Sequence, residues 1–186
     1  MQTITALFDD YDDAADAVGE LESMGVPTSD LSIIANNADG RHSPAAEDAV
    51  SGAGIGAVVG GAGGLATGLG AIAIPGVGPV VAAGWLAATA AGAAAGAVVG
   101  GAAGGIIGSL TDDADVSEHD AHVYAEGVRR GGTLVTARVE DDLAPQAQAI
   151  LHESRSVDIA ERRLEYEADG WTGFDPAAGD YCQQSK

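Results

Sequence analysis

Residues 51–111 contain no Asp, Glu, Lys, Arg or His, and this uncharged segment constrains the fold more than any other feature of the chain. The whole chain has 28 acidic and 8 basic side chains and a net charge of −20, so all of that charge lies before or after the segment. Because so long an uncharged stretch must be covered by protein or lipid, we expect a charged domain joined to an apolar part.

A block of prolines and glycines divides the uncharged segment near its middle: Pro75, Gly76, Val77, Gly78 and Pro79. Proline and glycine break helices, so the block predicts a turn between two arms. As a helix, either arm is long enough to cross a hydrocarbon core of about 30 Å. Residues 51–111 are therefore expected to form a helical hairpin that is transmembrane, with both ends on one side.

Glycine recurs at every fourth residue along both arms, interrupted once by alanine. Residues four apart share one face of a helix, and a stripe without side chains lets two helix backbones pack closely. The spacing predicts a glycine zipper through which hairpins self-associate into a homo-oligomer. The helix-packing positions are Gly52, Gly56, Gly60, Gly64, Gly68, Gly84, Gly92, Gly96, Gly100, Gly104 and Gly108.

Two other interpretations of the uncharged segment stay open. In one, the protein is a cytoplasmic, soluble homo-oligomer whose hairpins form a shared core and whose charged, ferredoxin-like domain binds a partner or a small ligand. In the other, the segment is a Gly/Ala-rich linker, although linkers are usually rich in Ser and charge. In the preferred interpretation the lipid bilayer is a partner: the hairpin lies in the cytoplasmic membrane and both termini of the chain lie in the cytoplasm. No secretory signal is expected, since the first residues lack a basic start and an apolar run.

The flanking residues predict an α+β domain. Strands are expected at residues 3–8, 31–35, 133–139 and 157–166, and helices at about 10–24, 117–130 and 143–151, from their periodicity and capping residues. Two β-α-β halves predict a ferredoxin-like sandwich with the hairpin inserted between them. The expected domain parts are residues 1–50, 51–111 and 112–170, followed by an irregular tail, 171–186.

Three stretches of sequence together resemble one bacterial family. They are Leu7-Phe8-Asp9-Asp10-Tyr11-Asp12-Asp13-Ala14, the block Ile74-Pro75-Gly76-Val77-Gly78-Pro79, and Tyr124-Ala125-Glu126-Gly127-Val128-Arg129-Arg130-Gly131-Gly132. The chain resembles the bacterial general stress proteins, described as heat-induced or low-temperature-induced. The resemblance covers most of residues 1–170 and implies a role in the stress response. It brings no catalytic residue with it.

Candidate sites for chemistry are few. His119 and His122 stand three apart on a predicted helix, a spacing that can hold a divalent metal, but no third ligand is evident and a solvated acidic face is the favoured interpretation. No nucleophile elbow or phosphate-binding loop is present. The acidic charge argues against a nucleic-acid partner. We therefore expect a non-enzymatic protein without a cofactor or a resident metal.

Overall fold

A computed structural model describes residues 1–37, 70–74, 77–89 and 105–175, together with residues 177 and 181. Within these ranges five strands and five helices have defined ends, and residues 85–89 are also helical. The elements in chain order are β1 (Gln2–Phe8), α1 (Tyr11–Met24), β2 (Leu31–Asn36), β3 (Gly70–Ile74), β4 (Gly78–Gly84), α2 (Ile106–Asp112), α3 (Glu118–Arg129), β5 (Thr133–Val139), α4 (Ala144–Glu153) and α5 (Ile159–Ala168).

The described strands form one sheet in the order β1-β5-β2-β4-β3, and each neighbouring pair is antiparallel. Strand β5 lies between β1 and β2, so these two run parallel to each other and are connected through α1. This arrangement is a split β-α-β unit. The predicted β-α-β start of the chain and the α+β class are thus confirmed.

Helices cover both faces of the sheet. On one face, Phe8, Ile33 and Val135 pack with α1 and α4, and on the other, Ile34 and Leu134 pack with α2 and α3. A ferredoxin-like sandwich would carry its helices on one face of the sheet only, so this part of the prediction is wrong. The physical reason lies in β2 and β5, where five or more consecutive residues are buried, because neighbouring side chains enter different cores.

The predicted last strand, residues 157–166, is also wrong, since α5 occupies most of it. The side chain of Asp158 accepts hydrogen bonds from the amides of Ala160 and Glu161, which caps the helix at its first turn. The sequence that follows, Ala-Glu-Arg-Arg-Leu-Glu, consists of good helix formers. Val157 and Ile159, which the predicted strand included, lie just before α5 and at its first residue.

The middle of the uncharged segment is strand rather than helix. Strands β3 and β4 pair antiparallel, with Ile74 opposite Gly78, and β4 pairs with β2. Residues 70–74 and 78–84 are therefore part of the sheet, and the prediction that residues 70–74 and 80–84 belong to helical arms is wrong. A run of β-branched Val and Ile between small residues satisfies a sheet better than a helix. The remaining parts of the arms, residues 52–69 and 90–104, lie outside the described residues.

Among the helices of the described ranges, none has the length and hydropathy that crossing a bilayer requires.

Candidate functional site

Within the uncharged segment, the structure describes four of the predicted site residues. Gly78 and Pro79 begin β4, Gly84 ends it, and Gly108 lies in α2. The chain reverses between Ile74 and Gly78, at the predicted turn block, but this reversal joins two strands. Gly84 and Gly108 do not share one helix. The other zipper glycines, with Pro75 and Gly76, lie outside the described residues.

Gly84 is required by backbone geometry rather than by helix packing. Its φ is +94°, in the left-handed region, and a Cβ atom there would lie 2.6 Å from the Cα of Ser32. The close approach lets the Ser32 hydroxyl donate to the Ala83 carbonyl at 2.8 Å and accept from the Ala87 amide at 3.3 Å. Gly84 thus allows the end of β4 to pack closely against the backbone of β2.

A cation–π contact closes the same end of the sheet. The guanidinium of Arg138, on β5, stacks on the Trp85 ring at 3.5 Å from its centroid, and the Trp85 indole N–H donates to the Asp30 carbonyl at 3.2 Å. The place of Trp85 near the start of the second arm is compatible with a membrane-interface anchor. Its described contacts instead join β4 to β5 and to the turn before β2.

A buried carboxylate lies near the carboxyl end of α3. Glu126 is 1% exposed and accepts hydrogen bonds from Arg129 Nε at 2.8 Å and from Arg130 Nε at 2.7 Å. The Arg130 guanidinium stacks on the ring of Tyr166 in α5, at 4.1 Å, and on the ring of Tyr181, at 5.0 Å. These contacts tie α5 and part of the tail to α3. We call Glu126, Arg129, Arg130, Tyr166 and Tyr181 the arginine cluster.

The pKa directions in the arginine cluster follow from burial and pairing. Burial by itself lowers the pKa of Arg130, but its hydrogen bond to Glu126 and the nearby negative charge more than offset this and leave the pKa raised. Burial raises the pKa of Tyr166, opposed in part by its hydrogen bond with Arg162. Both groups therefore keep their protons at neutral pH. Glu126 pairs with both guanidinium groups and Asp169 pairs with Arg130 as well, so the cluster joins elements of its own chain rather than binding an external anion.

The histidine pair lies on α3, as predicted, but one nitrogen is already in use. His122 Nδ1 accepts a hydrogen bond from the Phe174 amide at 3.1 Å, and Phe174 is buried in the core beside α3. His119 is exposed. In the described ranges no three His, Cys, Asp or Glu side chains come together as metal ligands would. The geometry assigns His122 a role in holding the C-terminal segment.

Sequence reasoning missed the arginine cluster, although its signal is present. A Glu followed at i+3 and i+4 by Arg places three charges on one helix face. The sequence could not show that α5 would cover this face, because residues 157–166 were expected to form a strand.

Comparison with known proteins adds no relative: no family model, no curated protein and no solved structure matches the chain.

Proposed function

We propose that this protein is a non-enzymatic, self-associating protein whose copies meet through the uncharged segment, residues 51–111. The observation that carries the proposal is the position of β3. This strand comes from the uncharged segment and is the outermost strand of the described sheet on that side. An outermost strand exposes backbone donors and acceptors to which another chain can bind.

Charge supports the same surface for assembly. With a net charge of −20, two copies repel each other wherever acidic surfaces meet. Strands β2, β3 and β4 carry no charged side chain, so two copies can approach along this part of the sheet at the least electrostatic cost. The arginines do not offer an oppositely charged patch, since each described arginine contacts an acid or an aromatic ring of its own chain.

The resemblance to general stress proteins supports a role in the bacterial stress response. Contact with the cytoplasmic membrane is a further part of this proposal and rests on residues 51–69 and 90–104, which are uncharged and rich in Gly, Ala and Val. Carbonate extraction of a cell membrane fraction tests it. Retention in the pellet supports membrane contact, and release into the supernatant contradicts it.

Self-association is tested by sedimentation velocity of the full chain over a wide range of protein concentration. We expect species with masses that are multiples of the monomer mass of 18.3 kDa. A single monomeric species at every concentration, with and without detergent, would overturn the proposal. The double variant Gly60→Leu, Gly100→Leu tests whether the glycine stripe takes part in assembly. A smaller oligomer indicates that the stripe contributes, whereas an unchanged oligomer excludes the stripe as the contact.

A further inference from the structure

The two outer strands of the described sheet, β1 and β3, differ in the described groups that cover their outer edges. At β1, the Leu7 carbonyl accepts from the Val157 amide at 2.7 Å and the Thr5 carbonyl accepts from the Tyr124 hydroxyl at 3.2 Å. An ion pair between Asp9 and Arg162 lies just beyond β1. Such covering contacts and charges prevent a further strand from adding to an edge. The β1 edge is therefore protected.

Pro79 determines which backbone groups of β3 face outward. Residue Ala73 lies opposite Pro79 in the β3–β4 ladder. Proline has no N–H to donate, and the Pro79 carbonyl accepts from the Asn37 amide at 2.8 Å on the β2 side, so this pair is of the non-hydrogen-bonded kind. Hydrogen-bonded and non-hydrogen-bonded residue pairs alternate along an antiparallel ladder. Ile72, opposite Val80, is therefore hydrogen-bonded to β4. The N–H and C=O groups of Ala71 and Ala73 point away from the sheet.

Nothing charged protects the β3 edge among the described strands next to it. The strand sequence Gly-Ala-Ile-Ala-Ile contains no Lys, Glu or Pro, the residues with which edge strands usually prevent pairing. The neighbouring strands β4 and β2 are equally uncharged. A charged partner gains nothing from this edge, whereas an identical copy can bring its own uncharged edge to it without placing acid against acid.

We propose that two copies of this chain pair through β3, antiparallel and about a two-fold axis, to form one continuous sheet; the inference rests on the proposed self-association. The register that uses all outward groups places Ala71 opposite Ala73 of the partner copy. That pair exchanges both of its N–H···O bonds, and the symmetric pair does the same. Ile72 then lies opposite its own copy on the two-fold axis.

The test compares two proline variants at neighbouring positions. Ala73→Pro removes an outward donor and leaves the β3–β4 ladder intact, because proline is tolerated in an edge strand when its nitrogen faces away from the sheet. At a protein concentration low enough for the wild type to be monomeric, we expect the urea midpoint to be unchanged. In sedimentation velocity we expect the dimer dissociation constant to rise by about tenfold or more. The control, Ile72→Pro, removes a donor to β4 and should lower the urea midpoint.

Amide exchange, followed residue by residue by NMR, keeps the inference testable if either variant fails to fold. In the wild-type dimer the Ala71 and Ala73 amides should exchange slowly, and their exchange should become fast on dilution to the monomer. The Ile72 amide should exchange slowly in both states. Slow exchange of Ala71 and Ala73 in the monomer would show that the chain's own residues cover the edge, and would overturn the inference. A folded Ala73→Pro variant that still dimerises like the wild type would also overturn it, while leaving self-association itself in place.

Discussion

Glu126 illustrates how a single residue in this chain links several elements. Its carboxylate pairs with two guanidinium groups, one from the last residue of its own helix and one from the residue after it, and the second of these stacks on an aromatic ring of α5. The two arginine side chains are themselves only 14% and 17% exposed. Forming a buried ion pair costs desolvation free energy. Removing one partner destabilises the fold more, because the other charge is left buried and unpaired. The cluster therefore contributes to docking α5 on α3.

Replacing Glu126 with Gln should lower the free energy of unfolding by about 3 kcal/mol, because two partly buried guanidinium groups lose their carboxylate. Urea denaturation followed by circular dichroism measures the change. The matched control is Glu153→Gln, on the exposed surface of α4, which should stay within about 0.5 kcal/mol of the wild type. Equal stabilities for the two variants would contradict the assigned role of Glu126.

Tyr124 gives the fold an alkaline limit. Burial, with the negative charge of Asp120 in addition, raises its pKa from 10.0 to about 12. The unfolded chain ionises this phenol first, so the stability that Tyr124 contributes is complete below pH 10 and is lost as the pH rises toward 12. The loss amounts to about 3 kcal/mol at 1.4 kcal/mol for each pKa unit.

Urea midpoints measured across this pH range, for the wild type and for Tyr124→Phe, test the alkaline limit. The variant loses a hydrogen bond to the Thr5 carbonyl and should be about 1 kcal/mol less stable at neutral pH. As the pH rises toward 12 it should approach the wild type and then become the more stable of the two, because it has no phenol to ionise and the wild type loses more than the hydrogen bond contributes. Parallel curves for the two proteins would contradict the assignment.

At the scale of an element, β4 depends on the backbone conformation at its end. Gly84→Ala should lower the free energy of unfolding by about 2 kcal/mol or more, since φ is +94° and the added Cβ would overlap the β2 backbone. Gly19→Ala is the matched control: Gly19 lies in α1, and a Cβ there meets no atom within 4 Å. That change should stabilise the protein by about 1 kcal/mol. If Gly84→Ala is as stable as the wild type, β4 does not end as described.

The elements that sequence reasoning found are those with local signals. Helix α1 has an amphipathic period, Asp10 as its N-cap and Gly25 in the left-handed conformation at its C-cap, and each of these is visible in the sequence. Strands β3 and β4 have weaker signals. Only Gly84 among their residues belongs to the four-residue stripe, but the small, uncharged residues of both strands are continuous with the predicted helical arms. The pairing of β4 with β2, which decides between helix and strand, is a contact between distant parts of the chain.

The sequence predicts self-association through residues 51–111, and this stays a prediction. The β3 edge that we propose as the interface lies within that segment. Which backbone groups face outward depends on the opposition of Ala73 and Pro79, and this register follows from the paired strands rather than from composition. The arginine cluster depends on α5 lying beside α3, which local sequence likewise does not specify.

For the molecule as a whole, the acidic excess predicts how stability depends on salt. Because net repulsion at a charge of −20 exceeds what the few exposed ion pairs contribute, raising the NaCl concentration to about 1 M, where the Debye length is about 3 Å, should raise the melting temperature. Differential scanning calorimetry measures the slope against salt. Changing Asp112, Asp113 and Asp115 to Asn should reduce that slope. A melting temperature that falls with salt would show that ion pairs, rather than repulsion, dominate.

The fold and the proposed interface both depend on strands β3 and β4, which the middle of the uncharged segment contributes to the domain's sheet. Nuclear Overhauser effects between backbone protons test this contribution directly. Ala71 and Val81 form a non-hydrogen-bonded antiparallel pair, in which the two Cα atoms are only about 4.5 Å apart. We predict a strong Hα–Hα contact between these two residues, and a second one between Ala73 and Pro79. Helical contacts between residues three apart across residues 70–84, in place of these cross-strand contacts, would contradict the account.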